Sequence, residues 1–135
     1  MVDKKDDILW ATGRRKTSIA QVRLVPGGDG KVTVNAMAID KFFHGQPRHI
    51  HRALLPLVKA EQGKTFNVTA KVNGGGITGQ AEAILHGIAR ALAKIDDTTK
   101  KSMRKEGFLT RDSRMVERKK PGQPKARKRF QYSKR

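Results

Sequence analysis

Residues Gly74, Gly75, Gly76, Ile77, Thr78 and Gly79 spell G-x-G-x-x-G after a strand-like run and before a helix-like one, and Asp96 lies twenty residues beyond Gly76. In a dinucleotide fold such a turn brings a pyrophosphate to a helix N-terminus, and the distant acid takes the ribose from the end of a second parallel strand. Here the 3.6-residue apolar period from Ala81 to Ile95 leaves Asp96 at the end of the helix itself, so the acid is misplaced for that task. A phosphate loop of the G-K-[ST] type is ruled out by Gln80, which stands where the lysine is required. No cofactor and no small-molecule substrate are therefore expected. Two readings remain for the glycines: a tight strand-to-helix turn needing positive φ, and backbone N–H groups open to a phosphate of a larger ligand. The two are compatible.

The four histidines give no metal site. His49 and His51 are two apart, which points them to different faces of a helix, and a strand would leave them without further ligands. No serine, histidine and acid are spaced as a nucleophilic triad, so no catalytic residue is assigned and the chain reads as a non-enzyme. Arg14-Arg15-Lys16, set between Gly13 and Thr17, is the first cationic cluster, and we place it in a loop before the first strand. The plain reading is a solvated loop end. In a chain this basic, phosphate contact is favoured, because arginine adds bidentate geometry to charge.

The remaining chemistry is in the C-terminal stretch. KARKRFQYSKR interleaves Lys125, Arg127, Lys128, Arg129, Lys134 and Arg135 with Phe130 and Tyr132. Cations can pair with phosphates while the rings stack on unpaired bases, a combination suited to folded RNA. A localisation signal or an anionic-membrane patch would carry the basic run without needing a folded body or interleaved aromatics. Residues 1–97 hold 15 Lys or Arg against 9 Asp or Glu, whereas residues 98–135 hold 15 against 3, so most of the formal +18 sits at one end. Within 114–135 the 10 basic residues face the single Glu117.

Those residues need a scaffold, and 135 residues allow one domain with a core. Apolar residues make up 36%, too few for the whole chain to pack, so a body with an appendage is expected. No apolar run approaches the roughly 18 residues of a bilayer span, and MVDKKDDILW lacks the pattern of a secretory signal or a transit peptide. With no cysteine there is no disulfide framework and a cytosolic-type compartment fits.

The body is expected to be α/β, in an α+β two-layer arrangement. Ser18–Val25 and Lys31–Val34 form strands joined as a hairpin through Pro26-Gly27-Gly28-Asp29-Gly30. Asn35 caps a short helix that carries Met37, Ile39, Phe42 and Phe43 and stops at Gly45-Gln46-Pro47. A second helix over about 49–61 should kink or break near Leu55 because of Pro56. Thr65–Val72 alternates at period two, with Phe66, Val68, Ala70 and Val72 on the core face. A core helix spans about 79–95, and its small residues Ala83, Gly87 and Ala91 allow close approach by the sheet or by an RNA backbone, with packing favoured. A last helix over about 99–106, capped by Asp97 or Thr98, ends at Gly107. The division is residues 1–108 as a globular body and 109–135 as a basic, extended tail too polar to order alone.

Three blocks carry a family resemblance: TGRRKTSIAQVRL at 12–24, GGGITGQAEAILHGIARAL at 74–92 and GFLTRDSRMVERKKPGQPKARKRFQYSKR at 107–135. They resemble the small-subunit ribosomal protein S-nine family, bacterial type, and residues 36–62 carry the likeness least. The resemblance implies a small sheet packed against helices, a cytoplasmic place in the small-subunit head, and neighbouring ribosomal proteins as partners. It implies rRNA contacts from Arg14, Arg15, Lys16, Gly74, Gly75 and Gly76, and from Arg111, Arg114, Arg118, Lys119, Lys120, Lys125, Arg127, Lys128 and Arg129. It further implies that the tail runs to the peptidyl-site tRNA, where Lys134 and Arg135 approach the anticodon stem-loop. The competing reading is a basic protein that coats nucleic acid without a defined site.

Overall fold

A computed structural model describes residues 8–61 and 66–134. The sheet has five strands: β1 (Leu9–Arg15), β2 (Ser18–Pro26), β3 (Val32–Val34), β4 (Met37–Ala38) and β5 (Phe66–Asn73), in the order β1-β2-β5-β3-β4. The helices are α1 (Ile39–Phe42), α2 (Pro47–Lys59), α3 (Ile77–Leu92) and α4 (Asp97–Lys105). The sheet is mixed: β3 pairs β5 in parallel and the other ladders are antiparallel. This is the α+β arrangement expected.

The expected hairpin between Ser18–Val25 and Lys31–Val34 is not formed. β5 lies between the two strands, with Ala20 opposite Val72 and Leu24 opposite Val68 on one side and Val34 opposite Ala70 on the other. The side chain of Asn67 explains the detour. Its Oδ1 accepts from the backbone N–H of Asp29 (3.1 Å) and of Lys31 (3.0 Å), so the glycine-rich connection folds over the end of β5. A Cβ on Gly28 would lie 2.6 Å from Asn67 Nδ2, which requires glycine at that crossing.

A strand precedes Arg14-Arg15-Lys16, contrary to the loop expected there. Arg14 and Arg15 end β1, and Lys16 (φ 51) with Thr17 makes the tight turn of the β1–β2 hairpin. The expected cap at Asn35 is also replaced. Asn35 (φ 49) and Ala36 (φ 65) form the turn between β3 and β4, and α1 starts only at Ile39. Positive φ at both central residues matches the right-handed strand twist of a two-residue hairpin, and asparagine tolerates it. Asn35 also imitates a strand residue: its Oδ1 accepts from Val72 N–H (2.8 Å) and its Nδ2 donates to Val72 carbonyl (3.1 Å).

α2 starts at Pro47 and runs continuously through Pro56, so of the kink or break expected near Leu55 it is the break that is absent. Proline deprives the Arg52 carbonyl of its intrahelical donor. Arg52 is exposed, where water can replace that donor, and Pro56 itself is fully buried. Thr65, the expected start of the next strand, lies outside the described residues. From Phe66 onward the alternation is as expected, with Phe66, Val68, Ala70 and Val72 buried.

The core lies between one sheet face and α2 and α3. Ala20, Val22, Leu24 and Val34 meet Ala81, Ile84, Ile88 and Leu92 of α3 and Ala53 and Leu57 of α2. α3 starts two residues earlier than expected and ends at Leu92, which leaves Ile95 exposed beyond it. Its small-residue face packs on the sheet: a Cβ on Gly87 would lie 2.5 Å from Val22 Cγ2, and one on Gly13 of β1 would lie 2.8 Å from Gly87 Cα. The cap of α4 is Asp96 rather than Asp97 or Thr98, its Oδ1 accepting from Thr99 N–H at 2.6 Å. This bond to the ionised form holds the Asp96 carboxyl below its ordinary pKa. At the other end Phe108 N–H bonds Met103 carbonyl and Gly107 N–H bonds Arg104 carbonyl, with Gly107 at φ 78. That is a Schellman stop, and buried Met103 and Phe108 supply its apolar contact.

Candidate nucleic-acid interface

The free edge of β1 needs partners for its outward backbone groups. One stripe of α3 supplies them. Nδ1 of His86 accepts from Arg14 N–H (3.1 Å), Arg90 donates to Thr12 carbonyl (2.6 Å), and Lys94, two residues past the end of α3, donates to Trp10 carbonyl. The four-residue spacing of 86, 90 and 94 matches every second group of the strand edge. Burial lowers the His86 pKa; the Leu109 backbone opposes this, while Arg90 and Arg111 reinforce it. Neutral His86 is the state that can accept from Arg14.

Because the hairpin is fixed this way, its tip meets two other segments that were separate in sequence. The glycine turn wraps over Ser18, whose hydroxyl donates to Gly74 carbonyl (3.0 Å), and Gln80 Nε2 donates to the same oxygen (3.2 Å). Gly74 (φ 74) and Gly75 (φ 67) both hold left-handed backbone, and a Cβ on Gly74 would lie 2.6 Å from Thr17 carbonyl. The tight-turn reading of these glycines is therefore realised. Gly76 is different: it has ordinary φ (−101), caps α3, and has open space where a Cβ would be.

The start of the tail arrives at the same tip. Arg111 NH2 donates to Lys16 carbonyl at 3.4 Å. Arg15, with its side chain only 13% exposed, is the hub: Nε pairs with Glu82 (2.6 Å), NH2 with Asp112 (3.3 Å), and NH1 donates to Arg114 carbonyl (3.0 Å). Arg114 closes on Asp112 through two parallel contacts, 3.1 and 2.8 Å. Bonds from Arg114, with Arg15 nearby, hold the Asp112 carboxyl well below the usual carboxylate range, and Asp112 raises Arg114 in turn. Thus Arg15 uses its charge to fix where the tail leaves the body, and Arg114, though exposed, braces Asp112 for that contact, while exposed Arg14 and Lys16 have no carboxylate partner among the described residues. Neither Glu82 nor Asp112 stood out in the sequence, since an acid on a helix and an acid in a basic run look like solvated groups.

No helix or strand occurs from residue 110 to 134. One local structure does: Pro121 and Gly122 (φ 77) form a turn closed by Gln123 N–H to Lys120 carbonyl (3.3 Å). Glu117 braces it by pairing with Lys120 and with Arg127 (2.9 Å), and both bonds lower its pKa. Among the described residues, Arg118, Lys119, Lys125, Lys128, Arg129 and Lys134 have no carboxylate partner. All six are exposed, as are Phe130 (71%) and Tyr132 (87%). Arg135 lies outside the described residues. No group of three or more potential metal ligands occurs among the described residues, and no described helix is long and apolar enough to cross a membrane.

The described residues from 110 onward are thus a cationic, acid-poor stretch without helix or strand, tied to the hairpin tip through Arg111, Asp112 and Arg114. Comparison with known proteins gives it a family. Residues 13–135 match the family described as ribosomal protein S9/S16. A Cytophaga hutchinsonii protein named small ribosomal subunit protein uS9 is 53% identical over 130 residues, covering 96% of this chain and 99% of the relative. Proteins of the same name from Azobacteroides pseudotrichonymphae and Chlorobium limicola are 50% and 47% identical, each over 96% of this chain and 99% and 98% of the relative.

Proposed function

The chain belongs to the ribosomal protein S9/S16 family and is accordingly a structural protein of the small ribosomal subunit, not an enzyme; from that premise we propose that its body docks on small-subunit rRNA and its tail threads through the RNA towards the peptidyl-site tRNA. The observation that carries the reading is the six exposed cations without a carboxylate partner, interleaved with exposed Phe130 and Tyr132 on an arm rooted by Arg15. Six such charges repel one another in isolation, and an ordered polyanion relieves that repulsion while releasing its own counterions.

In this reading Arg14, Lys16 and the Gly74–Gly76 turn contact rRNA at the hairpin tip, because they are exposed at the point where the tail departs. Arg15, Arg111 and Arg114 serve the same interface by holding the root, with whatever donor capacity their internal contacts leave. Arg118, Lys119, Lys120, Lys125, Arg127, Lys128 and Arg129 pair with phosphates along the thread, and Phe130 and Tyr132 stack on unpaired bases. The twenty-one residues from Arg114 to Lys134 can span up to about 70 Å if fully extended, so the tip can act far from the body. Lys134 and Arg135 are assigned to the anticodon stem-loop of the peptidyl-site tRNA, and the neighbours are other proteins of the subunit head.

Small subunits carrying the chain without Lys134 and Arg135 test the tip. They should assemble normally and bind peptidyl-site tRNA more weakly, or lose reading frame more often. Unchanged tRNA affinity and frame maintenance would overturn the assignment. A protein that coats nucleic acid without a defined site would instead bind duplex DNA and head-domain rRNA equally in direct competition.

A further inference from the structure

The segment between α1 and β5 contributes nothing to the interface described so far, yet its charge is lopsided. Helix α2, PRHIHRALLPLVK, has Arg48, Arg52 and Lys59, two histidines and no acid. Ala53, Pro56 and Leu57 face the core, which leaves Arg48, His51, Arg52 and Lys59 along the exposed side. Arg48 and Arg52 are one turn apart, so their side chains share a face.

The placement runs against the helix's own electrostatics. The first turn of a helix carries partial positive charge, which favours acids and disfavours cations. Arg48 falls in that turn, which holds no acid, and His51 and Arg52 follow in the next turn of the same helix. A local rule broken without compensation inside the fold is a mark of function. Compensation inside the fold is slight: Arg52 NH2 lies 3.8 Å from Glu82, whose other oxygen already holds Arg15 at 2.6 Å, and Arg48 has no ion pair among the described residues.

The cluster also has shape and continuity. Arg48, His51 and Arg52 form one wall of an open groove of about 300 Å³, with Thr78 and Glu82 of α3 on the other. A second groove, lined by Arg14, Arg15 and Asp112 at the tail root, shares Arg52 and Glu82 with the first. The two grooves are therefore continuous, although the acids Glu82, Glu106 and Asp112 balance the arginines at the tail root, so the unbalanced positive charge lies on the α2 side.

We propose that the outer face of α2, through Arg48, His51 and Arg52, is a second rRNA phosphate-contact surface, continuous with the tail root and independent of the tail's own cations. It rests on the reading of the chain as an rRNA-binding protein. Arginine suits the role, since its planar fork meets two phosphate oxygens at once. A backbone strand lying in the groove would neutralise the charge that the helix dipole disfavours.

The test compares the full chain with its R48A/R52A and R48K/R52K forms, using head-domain rRNA as the probe and titrating salt. Losing two phosphate contacts should flatten the log–log salt slope by about 1.4 to 1.8 in R48A/R52A, while R48K/R52K keeps the wild-type slope because it keeps the charge. Removing cations from the positive helix end should leave the melting temperature of the free R48A/R52A protein unchanged or raised. An unchanged slope in R48A/R52A beside steep wild-type binding overturns this surface alone, including the case in which the variant is lost from subunits because a protein neighbour used it. A lower melting temperature assigns the arginines to the fold and also overturns it. A wild-type chain without salt-dependent rRNA binding overturns the underlying function and this surface with it.

Discussion

Gly13→Ala strikes the seam on which the interface depends. A Cβ at residue 13 would lie 2.8 Å from Gly87 Cα and nearer still to the Ala83 carbonyl and the Gly87 N–H, all of them backbone. Ordinary contact is nearer 3.5–4 Å, so β1 and α3 must separate by about 1 Å or more. A gap of that size forfeits roughly a quarter to a half of the dispersion energy across the seam. It also stretches the bonds from His86, Arg90 and Lys94 to the β1 edge, each contributing about 0.5–1.5 kcal/mol. Overpacking alone typically costs about 1–3 kcal/mol. Together these give a loss of about 3–5 kcal/mol, a large share of the usual 5–15 kcal/mol total. At about 3–5 °C per kcal/mol for a domain of this size, the melting temperature should fall by about 10–20 °C. Urea and thermal unfolding of the free protein read this directly. Gly76→Ala is the matched control, because φ there is ordinary and nothing lies within 4 Å; it should stay within about 1 kcal/mol of wild type. A Gly13→Ala protein that melts within 2 or 3 °C of wild type would refute the close packing of β1 on α3.

Three further outcomes follow from particular contacts. Arg15→Met leaves Glu82 and Asp112 without their shared guanidinium; the loss should be about 1–2 kcal/mol once solvent is allowed for, and proteolysis after Arg111 or Arg114 should quicken as the root loosens. Asn35→Ala removes both bonds to Val72 and puts a less tolerant residue at positive φ, which should cost about 2–3 kcal/mol in urea unfolding. His86 is a base whose folded pKa is lowered, so the unfolded chain binds the proton first as pH falls. Its contribution is fully present above about pH 6.5 and declines as pH drops below that value towards the folded pKa. His86→Asn, whose amide oxygen can still accept from Arg14, should flatten the pH dependence of the melting temperature between pH 5 and 7; an unchanged slope there would remove His86 as its source.

The parts of the fold legible in the sequence were those with local causes. The alternation of Phe66 to Val72 and the apolar period of α3 identify themselves, because each pattern is the imprint of one buried face. The stop at Gly107 is equally local. What stayed hidden was set by partners distant in the chain. β2 and β3 looked like a hairpin because the turn residues between them were suitable, and only Asn67 reveals that the turn crosses over another strand. β1 was missed because Leu9 to Arg15 has weak alternation and a glycine where a side chain is expected, although that glycine is what lets α3 approach. The basic character of the interface was plain from charge alone. The division of labour within it was not: spacing cannot distinguish Arg15, spent on Glu82 and Asp112, from exposed Arg14 and Lys16 beside it.

The claim that matters most is that the tail's cations without a carboxylate partner bind rRNA phosphates. It is tested by replacing Arg118, Lys119, Lys125, Lys128 and Arg129 together with glutamine in the full chain and titrating salt against head-domain rRNA. Five lost contacts should shorten the log–log slope by about 3.5 to 4.5, with the body's melting temperature unchanged because none of the five touches a carboxylate or the core. A slope equal to that of the wild-type chain would contradict the account.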